Sequence, residues 1–162
     1  MSLRLQTITG PYNGLEAKLR FIKGCYPKAT MDPDFHTFVE NSAGRGTRLE
    51  QATSLFNAIR QGLNYLPDPI GFEQTKSPSR IVKEILSFGS SSGDCDDHAC
   101  FSFSALKTMG LPAKLRVVWL NGLDMPGHIY ALAFLEDRWV PFDTTRQAGI
   151  NTEAPYTHKE DF

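Results

Sequence analysis

The stretch GDCDDHACFSFSALKTMGLP, residues 93–112, predicts a helix that begins beside a cysteine. Asp94 is a residue type that favours the N-cap position, and Gly110 followed by Pro112 is typical of a helix end. Between these signals, apolar residues recur at helical spacing at positions Ala99, Phe103, Leu106 and Met109. We therefore predict a helix over residues 94–109, with Cys95 in its first turn.

The chain beyond this helix is rich in β-forming residues and predicts a sheet. Three runs are typical of strands: 114–120, 128–135 and 138–142. The last two are separated by the short polar turn Glu136-Asp137, so we expect a hairpin in which Leu135 lies opposite Arg138. The polar tail after Thr145 is weakly patterned and predicts either a segment wrapped on the surface or a partly disordered one.

The register of this hairpin brings two chemically active residues together. Continued along both strands, it places Asp143 opposite Tyr130. Opposed residues share a sheet face, as do residues two apart on one strand, so His128, Tyr130 and Asp143 share a face. His128 and Asp143 are then diagonal neighbours about 7–8 Å apart at the backbone, which lets an imidazole and a carboxylate meet. An odd-length loop or a bulge would break this parity.

Upstream of the cysteine, one helix is well marked. Thr47 and Glu50 fit a capping box, and apolar residues follow at helical spacing, which predicts a helix over about 48–65. Residues 41–47 have the composition of a loop. The pattern over 16–23 is compatible with either a short strand or a helix, and both interpretations stay open.

The segments between that helix and the cysteine are predicted to be mostly irregular. Residues 66–79 contain three prolines and predict a connector without regular structure. Ser77 or Ser79 is a candidate cap for a short helix over 80–88. Residues 89–93, Gly-Ser-Ser-Ser-Gly, predict a flexible loop.

Length and composition indicate the class of protein. A chain of 162 residues with 41% hydrophobic residues predicts a single domain over 1–162 with a sizeable core. The net charge of −1 gives no electrostatic case for nucleic acid or an anionic membrane as a partner. Because no apolar run is long enough for a membrane span or a signal peptide, we expect a cytoplasmic protein.

The three cysteines, Cys25, Cys95 and Cys100, form an odd set in a chain without a signal peptide. Such a set argues against a disulfide framework and is compatible with a reactive thiol. The spacing of Cys95, His98 and Cys100 matches no zinc-binding pattern. We expect Cys25 and Cys100 to pack as small hydrophobic residues, and His98 to lie on the helix surface or against the rim of a site.

Cys95 is the candidate nucleophile. The thiolate is the attacking species, and the partial positive charge of a helix N-terminus favours it. The unpaired backbone N–H at that position is also suited to an oxyanion hole. Three acidic neighbours, Asp94, Asp96 and Asp97, oppose thiolate formation, so a cationic partner such as an imidazolium is required. From this segment alone, a buried structural cysteine is an equally good interpretation.

His128 and Asp143 are suited to provide that partner. A histidine held by a carboxylate is the arrangement that activates a weak nucleophile, because the carboxylate fixes the tautomer and stabilises the imidazolium. Taken singly, His128 is equally a solvated residue at a strand end, and Asp143 a turn-initiating residue before two threonines. Their coincidence with Cys95 in one chain favours a catalytic triad.

The order and surroundings of these residues resemble the transglutaminase-like superfamily of papain-like cysteine enzymes. The similar stretches are 65–69, 77–78, 93–99, 106–115, 127–128 and 139–143. The first two of them are similar to the upstream part of bacterial and phage-borne members. The resemblance covers a core of about 48–145 and leaves 1–45 as an N-terminal extension of unknown role.

The resemblance implies an α+β fold with a papain-like, transglutaminase-like core, in which N-terminal helices precede a cysteine helix packed on an antiparallel sheet. It implies Cys95 as nucleophile, His128 as base and Asp143 as the acid that orients the base. The implied reaction is acyl transfer through a thioester on a peptide or protein substrate. Hydrolysis is favoured, and two alternatives stay open: transfer to an amine, or a structural or binding domain that keeps the fold without turnover.

The resemblance also concerns an oxyanion donor and a metal. Family members supply a side-chain donor to the oxyanion from upstream, for which Asn64, Tyr65 and Gln74 are candidates. In related calcium-dependent periplasmic proteinases, acidic residues beside the cysteine bind Ca²⁺, and Asp94 and Asp96 match those positions. Without a secretion signal, the expectation is a protein that needs no cofactor.

Overall fold

A computed structural model describes residues 7–10, 14–122 and 124–162. The helices are α1 (Leu15–Ala29), α2 (Pro33–Ala43), α3 (Arg48–Gly62), α4 (Pro78–Phe88) and α5 (Cys95–Thr108). The strands are β1 (Thr7–Gly10), β2 (Leu63–Tyr65), β3 (Glu73–Lys76), β4 (Ser91–Gly93), β5 (Ala113–Trp119), β6 (His128–Leu135), β7 (Arg138–Phe142) and β8 (His158–Asp161).

The central sheet has four antiparallel strands in the order β7-β6-β5-β8, and α5 packs against β5 and β6. Helices α1 to α4 precede α5, so the predicted α+β fold, with a cysteine helix on an antiparallel sheet, is confirmed. Within the described ranges, no helix combines the length and hydropathy required to cross a bilayer.

Helix α5 is the buried centre of the fold. Asp94 caps it by accepting the backbone N–H of Asp96 (2.9 Å), and Asp97 reciprocates by accepting the N–H of Asp94 (3.0 Å). The helix ends before Gly110, whose φ of 79° lies in the left-handed region. Every residue from 96 to 106 is buried, because α1, α4 and the sheet enclose the helix on all sides.

The hairpin of β6 and β7 has the predicted register. Leu135 pairs with Arg138, and the pairing continues to Ala131 opposite Phe142. Both turn residues, Glu136 and Asp137, have positive φ values, 49° and 63°. That conformation matches the twist of the two strands, as expected for a two-residue hairpin loop.

Three short strands correct the predictions for the upstream segments. The helix predicted to reach residue 65 ends at Gly62, because the chain from Leu63 to Tyr65 leaves it to form β2. The predicted flexible loop contains β4, which pairs with β2 in parallel, and the predicted connector contains β3, which pairs with β1. Ser77 rather than Ser79 caps α4, by accepting the N–H of Arg80 (3.3 Å).

The N-terminal helices belong to the main hydrophobic core. The open segment 16–23 lies in α1, whose buried residues pack with α3, α5 and the inner face of β6. Helix α2 adds Phe35, whose ring lies edge-on to that of Phe101 at 5.2 Å between centroids. The segment 1–45 thus contributes helices that contact the cysteine helix directly.

The C-terminal tail pairs with the sheet instead of lying loosely on the surface. Strand β8 adds to the edge of β5, with Val118 opposite Lys159. A second, smaller core on the outer sheet face includes Tyr130 and Leu132 from β6, and Tyr156 from the tail packs against it. The sequence does not predict this strand because all four residues of β8 are exposed and show no apolar alternation.

Candidate active site

Cys95 is the first residue of α5 and is half-buried at the wall of a cavity of about 390 Å³. The thiol donates to Oδ1 of Asp96 (3.8 Å), and the backbone N–H of Ile129 donates to the sulfur. The same cavity is lined by His128 and by residues from α1, β3 and β5. The helix N-terminus therefore presents the sulfur beside the first residues of β6.

His128 and Asp143 are in direct contact, as the register predicted. Nε2 of His128 lies 2.6 Å from Oδ2 of Asp143, and the aspartate is almost fully buried. The other carboxylate oxygen accepts the backbone N–H (3.1 Å) and the hydroxyl (2.7 Å) of Thr145. Because Nε2 is bound to Asp143, Nδ1 is the ring nitrogen left for exchange of a proton with a thiol.

The electrostatics of this pair favour an ionised Asp143. Burial alone would raise the pKa of Asp143, but hydrogen bonds from His128 and Thr145 outweigh it and hold the pKa below its usual value. A buried carboxylate that stays ionised orients the imidazole and stabilises its protonated form. This is the electrostatic requirement for a base that must accept a proton from a thiol.

The surroundings of Cys95, by contrast, oppose ionisation of its thiol. Burial raises its pKa well above the ordinary value, and Asp96 and Asp94 raise it further. The backbone N–H of Ile129 and the ammonium of Lys18 act in the other direction. The predicted conflict between the acidic flank and the thiolate is therefore present in the folded protein.

Two carboxyl groups of that flank have strongly raised pKa values. Burial raises the pKa of Asp94 to about 8, with further contributions from Asp96 and Asp97. Burial likewise raises the pKa of Asp97 to about 7, although the backbone N–H groups of Lys76 and Asp94 lower it. Protonation of Asp94 near neutral pH would reduce the negative charge that faces the sulfur.

This raised pKa predicts that Asp94→Asn stabilises the protein at alkaline pH. A folded-state pKa of about 8 against an ordinary 3.8 means that stability falls as pH rises between those values. Asparagine keeps the N-cap acceptor but carries no charge, so we expect a gain of about 1 kcal/mol at pH 9. The gain should vanish near pH 4, as measured by urea unfolding at both pH values. A gain that is the same at both, or one equalled by the exposed control Asp34→Asn, would contradict this expectation.

Of the two positions predicted for His98, the helix surface is wrong, and the ring lies on the side of the candidate site. It is buried, and its Nδ1 lies 2.8 Å from the hydroxyl oxygen of Thr144, next to Asp143. Burial lowers the pKa of His98 to about 4, so the ring is neutral at physiological pH. His98 thus packs behind the His128–Asp143 pair.

The two other cysteines lie in the hydrophobic core, and the oxyanion candidates Asn64 and Gln74 lie on the short strands β2 and β3. Cys25 and Cys100 are buried, and their thiols are hydrogen-bonded to each other, as expected for packed residues. Asn64 is exposed. The backbone N–H of Gln74 donates to Asp68.

Tyr65 is the oxyanion candidate whose phenol group interacts with the site. Burial raises its pKa, and the next contributions come from Cys95 and Asp94. Its side chain also helps to line a second cavity of about 300 Å³ that reaches Asp94. Exposed apolar side chains follow Tyr65 in the same loop: Leu66, Ile70 and Phe72.

The acidic residues beside Cys95 do not fit a calcium site. Asp94, Cys95 and Asp96 have ligand atoms within 4.8 Å of one another, but a thiol is a soft ligand that calcium avoids. Asp96 is already neutralised by the ammonium of Lys18 at 2.5 Å. In a neighbouring set, Asp68, Glu73 and Asp94, one carboxylate is likewise already paired with the ammonium of Lys18, that of Glu73.

Comparisons with known proteins identify the family and the fold of this chain. A family model described as the transglutaminase-like superfamily matches residues 35–144. A candidate cysteine protease from Cytophaga hutchinsonii aligns with a TM-score of 0.52 at 16% identity, over 78% of this chain and 49% of that one. A candidate protease from Parabacteroides distasonis aligns with a TM-score of 0.55 at 15% identity, over 80% of this chain and 26% of that one.

At such identities the solved structures show a shared fold. This chain spans about half the length of the Cytophaga protein and about a quarter of the length of the Parabacteroides protein. No curated protein matches the sequence. The family match covers well over half of the chain and includes Cys95, His128 and Asp143. The chain belongs to the transglutaminase-like superfamily.

Proposed function

We propose that this protein catalyses cysteine-dependent acyl transfer, with hydrolysis of a peptide or amide bond as its reaction. The observation that carries the proposal is the 2.6 Å contact between His128 and the buried Asp143, at a cavity that also exposes the sulfur of Cys95. A nucleophile at a helix N-terminus, a base and an orienting carboxylate are the groups that this chemistry requires.

In the proposed acylation step, Nδ1 of His128 takes the thiol proton and Sγ of Cys95 attacks the substrate carbonyl carbon. The backbone N–H of Cys95 and the hydroxyl of Tyr65 stabilise the oxyanion that forms. His128 then gives its proton to the leaving amine as the C–N bond breaks, which leaves a thioester on Cys95.

In the second step, His128 removes a proton from a water molecule, which attacks the thioester carbonyl. The C–S bond breaks, the carboxylic acid leaves, and the proton returns to the Cys95–His128 pair. Transfer to a primary amine would follow the same course with the amine in place of water. The thioester is common to both reactions, so the acceptor alone distinguishes them.

The surroundings of the cavity support a peptide segment with apolar side chains as the substrate. Tyr65 and Phe72, each about half exposed, line the cavity that reaches Asp94, and the exposed Met125 lines the cavity beside Cys95. Exposed apolar groups clustered beside a reactive centre are typical of ligand contacts.

The proposal is tested with a mixture of synthetic peptides incubated in ¹⁸O-labelled water, with and without a fluorescent primary amine. Hydrolysis predicts new carboxyl termini that carry ¹⁸O, and their loss in a Cys95→Ser variant. Amine transfer predicts fluorescent products instead. Absence of both products across peptides of varied sequence, with Cys95 intact by mass, would favour the non-catalytic alternative.

A further inference from the structure

Lys18, on α1, reaches the cavity that contains Cys95. Its Nζ lies 2.5 Å from Oδ2 of Asp96 and 3.1 Å from Oε2 of Glu73. The Lys18 side chain is only 17% exposed and that of Asp96 only 3%, so this ion pair is shielded from water. Lys18 precedes the matched range 35–144, so the family pattern does not account for it.

Asp96 connects this ammonium to the sulfur. One of its oxygens contacts Lys18, and the other accepts the weak hydrogen bond from the thiol of Cys95. Burial raises the pKa of Asp96 even with Lys18 beside it. Without the ammonium, Asp96 in its ionised form would face the sulfur with an uncompensated charge. A thiolate formed at that point would then lie beside an uncompensated anion of the same sign.

We propose that Lys18 is a positioning residue that neutralises Asp96 and thereby permits the thiolate of Cys95. The inference rests on the proposed role of Cys95 as the nucleophile. In this proposal the N-terminal helix α1 contributes to the site, because it carries Lys18.

Among the residues that the structure describes, Lys18 is the cation outside the proposed triad that lines the cavity of Cys95. The groups that face the sulfur or its cavity come from five elements: Asp94 and Asp96 of the α5 N-terminus, Lys18 of α1, Tyr65 of β2, Glu73 of β3 and His128 of β6. Lys18 also lowers the pKa of the Cys95 thiol, against burial and the two aspartates. Burial lowers the pKa of Lys18, but Asp96 and Glu73 outweigh it and keep the ammonium charged.

The test is the pH dependence of Cys95 alkylation by iodoacetamide, followed by peptide mapping so that Cys25 and Cys100 are scored separately. Lys18→Met should move the midpoint of the profile upward by about one pH unit, a roughly 10-fold slower reaction below it. Lys18→Arg, which keeps the charge, should recover most of the rate. Arg20→Met, an exposed position on the same helix, should leave the profile unchanged.

A double-mutant cycle with Asp96→Asn separates this role from a purely structural one. If Lys18 acts through Asp96, adding Lys18→Met to Asp96→Asn should move the midpoint far less than it does in the wild-type background. An equal displacement in both backgrounds, or identical profiles for wild type and Lys18→Met, would overturn the proposal. The comparison of Asp96→Asn with the double variant stays informative even where Lys18→Met alone does not fold.

Alkylation requires no turnover, so the two proposals fail separately. A protein that cleaves no peptide but shows the Lys18-dependent profile would refute the proposed hydrolysis alone. A protein that cleaves peptides with a profile independent of Lys18 would refute this inference alone.

Discussion

Replacement of His128 by alanine should slow the alkylation of Cys95 at pH 7 by about 100-fold. Burial, Asp96 and Asp94 all raise the pKa of this thiol, so without an imidazolium less than about 1% of it would be ionised at that pH. We propose that His128, held by Asp143, accepts the thiol proton and thereby stabilises the thiolate. The rate is measured by the loss of free Cys95 thiol under excess iodoacetamide.

Two further variants make this result specific to the triad. His36→Ala, a half-exposed position on α2, should leave the rate unchanged. Asp143→Asn keeps the shape of the carboxylate but not its charge, so it should slow the reaction less than the loss of the ring does. Equal rates for His128→Ala and wild type, or equal labelling of all three cysteines, would contradict the triad.

The elements that could be predicted from the sequence are those whose signals are local. Helix α5 has a cap at one end, Gly110 at the other and apolar spacing between them, all within 20 residues. The hairpin register follows from the two-residue turn, because parity along two strands then fixes which residues share a face. The contact between His128 and Asp143 needed no other information.

The small sheets could not be predicted, because their signals are tertiary. Strands β2 and β4 have three residues each, and their hydrogen-bond partners lie 28 positions apart, as with Leu63 and Ser91. Neither strand has the apolar alternation that a sequence pattern requires. Their pairing nevertheless matters, since it fixes Tyr65 beside Gly93, two residues before the cysteine.

The burial of the acidic residues beside Cys95 could not be predicted from the sequence either. Asp94, Asp96 and Asp97 are typical of a solvated helix start, yet each has partners that allow burial: backbone N–H groups for two of them and Lys18 for Asp96. Lys18 lies 78 positions before its partner, in a segment with no recognised pattern. Only the packing of α1 on α5 brings the two together.

Replacement of Arg116 by methionine should lower the free energy of unfolding by about 3 kcal/mol. The guanidinium of Arg116 on β5 is 8% exposed and donates two hydrogen bonds to Asp161 of β8, at 2.7 and 2.8 Å. A third, at 2.8 Å, goes to Glu153 in the tail, which also accepts the hydroxyl of Tyr130. Removing the cation deprives the carboxylates of Asp161 and Glu153, which are 31% and 26% exposed, of this ion pair, and such losses cost about 3–5 kcal/mol when burial is complete.

The expected fall in melting temperature is roughly 6–12 °C for a chain of this size. Arg138→Met, an exposed arginine at the start of β7, is the matched control and should change stability by less than about 0.5 kcal/mol. Arg116→Lys keeps the charge but not the two-pronged geometry, so an intermediate loss is expected. A loss no larger than that of Arg138→Met would show that the tail is held by β-pairing alone.

The pH dependence of this loss identifies its electrostatic part. Hydrogen bonds from Arg116 hold the pKa of Asp161 below its usual 3.8, against the smaller effect of burial. A depressed carboxyl pKa gives stability that is present above the ordinary pKa and is lost as pH falls below it. The difference between wild type and Arg116→Met should therefore be largest near pH 7 and shrink between pH 4 and 3. A difference independent of pH would attribute the loss to packing of the arginine stem on the sheet.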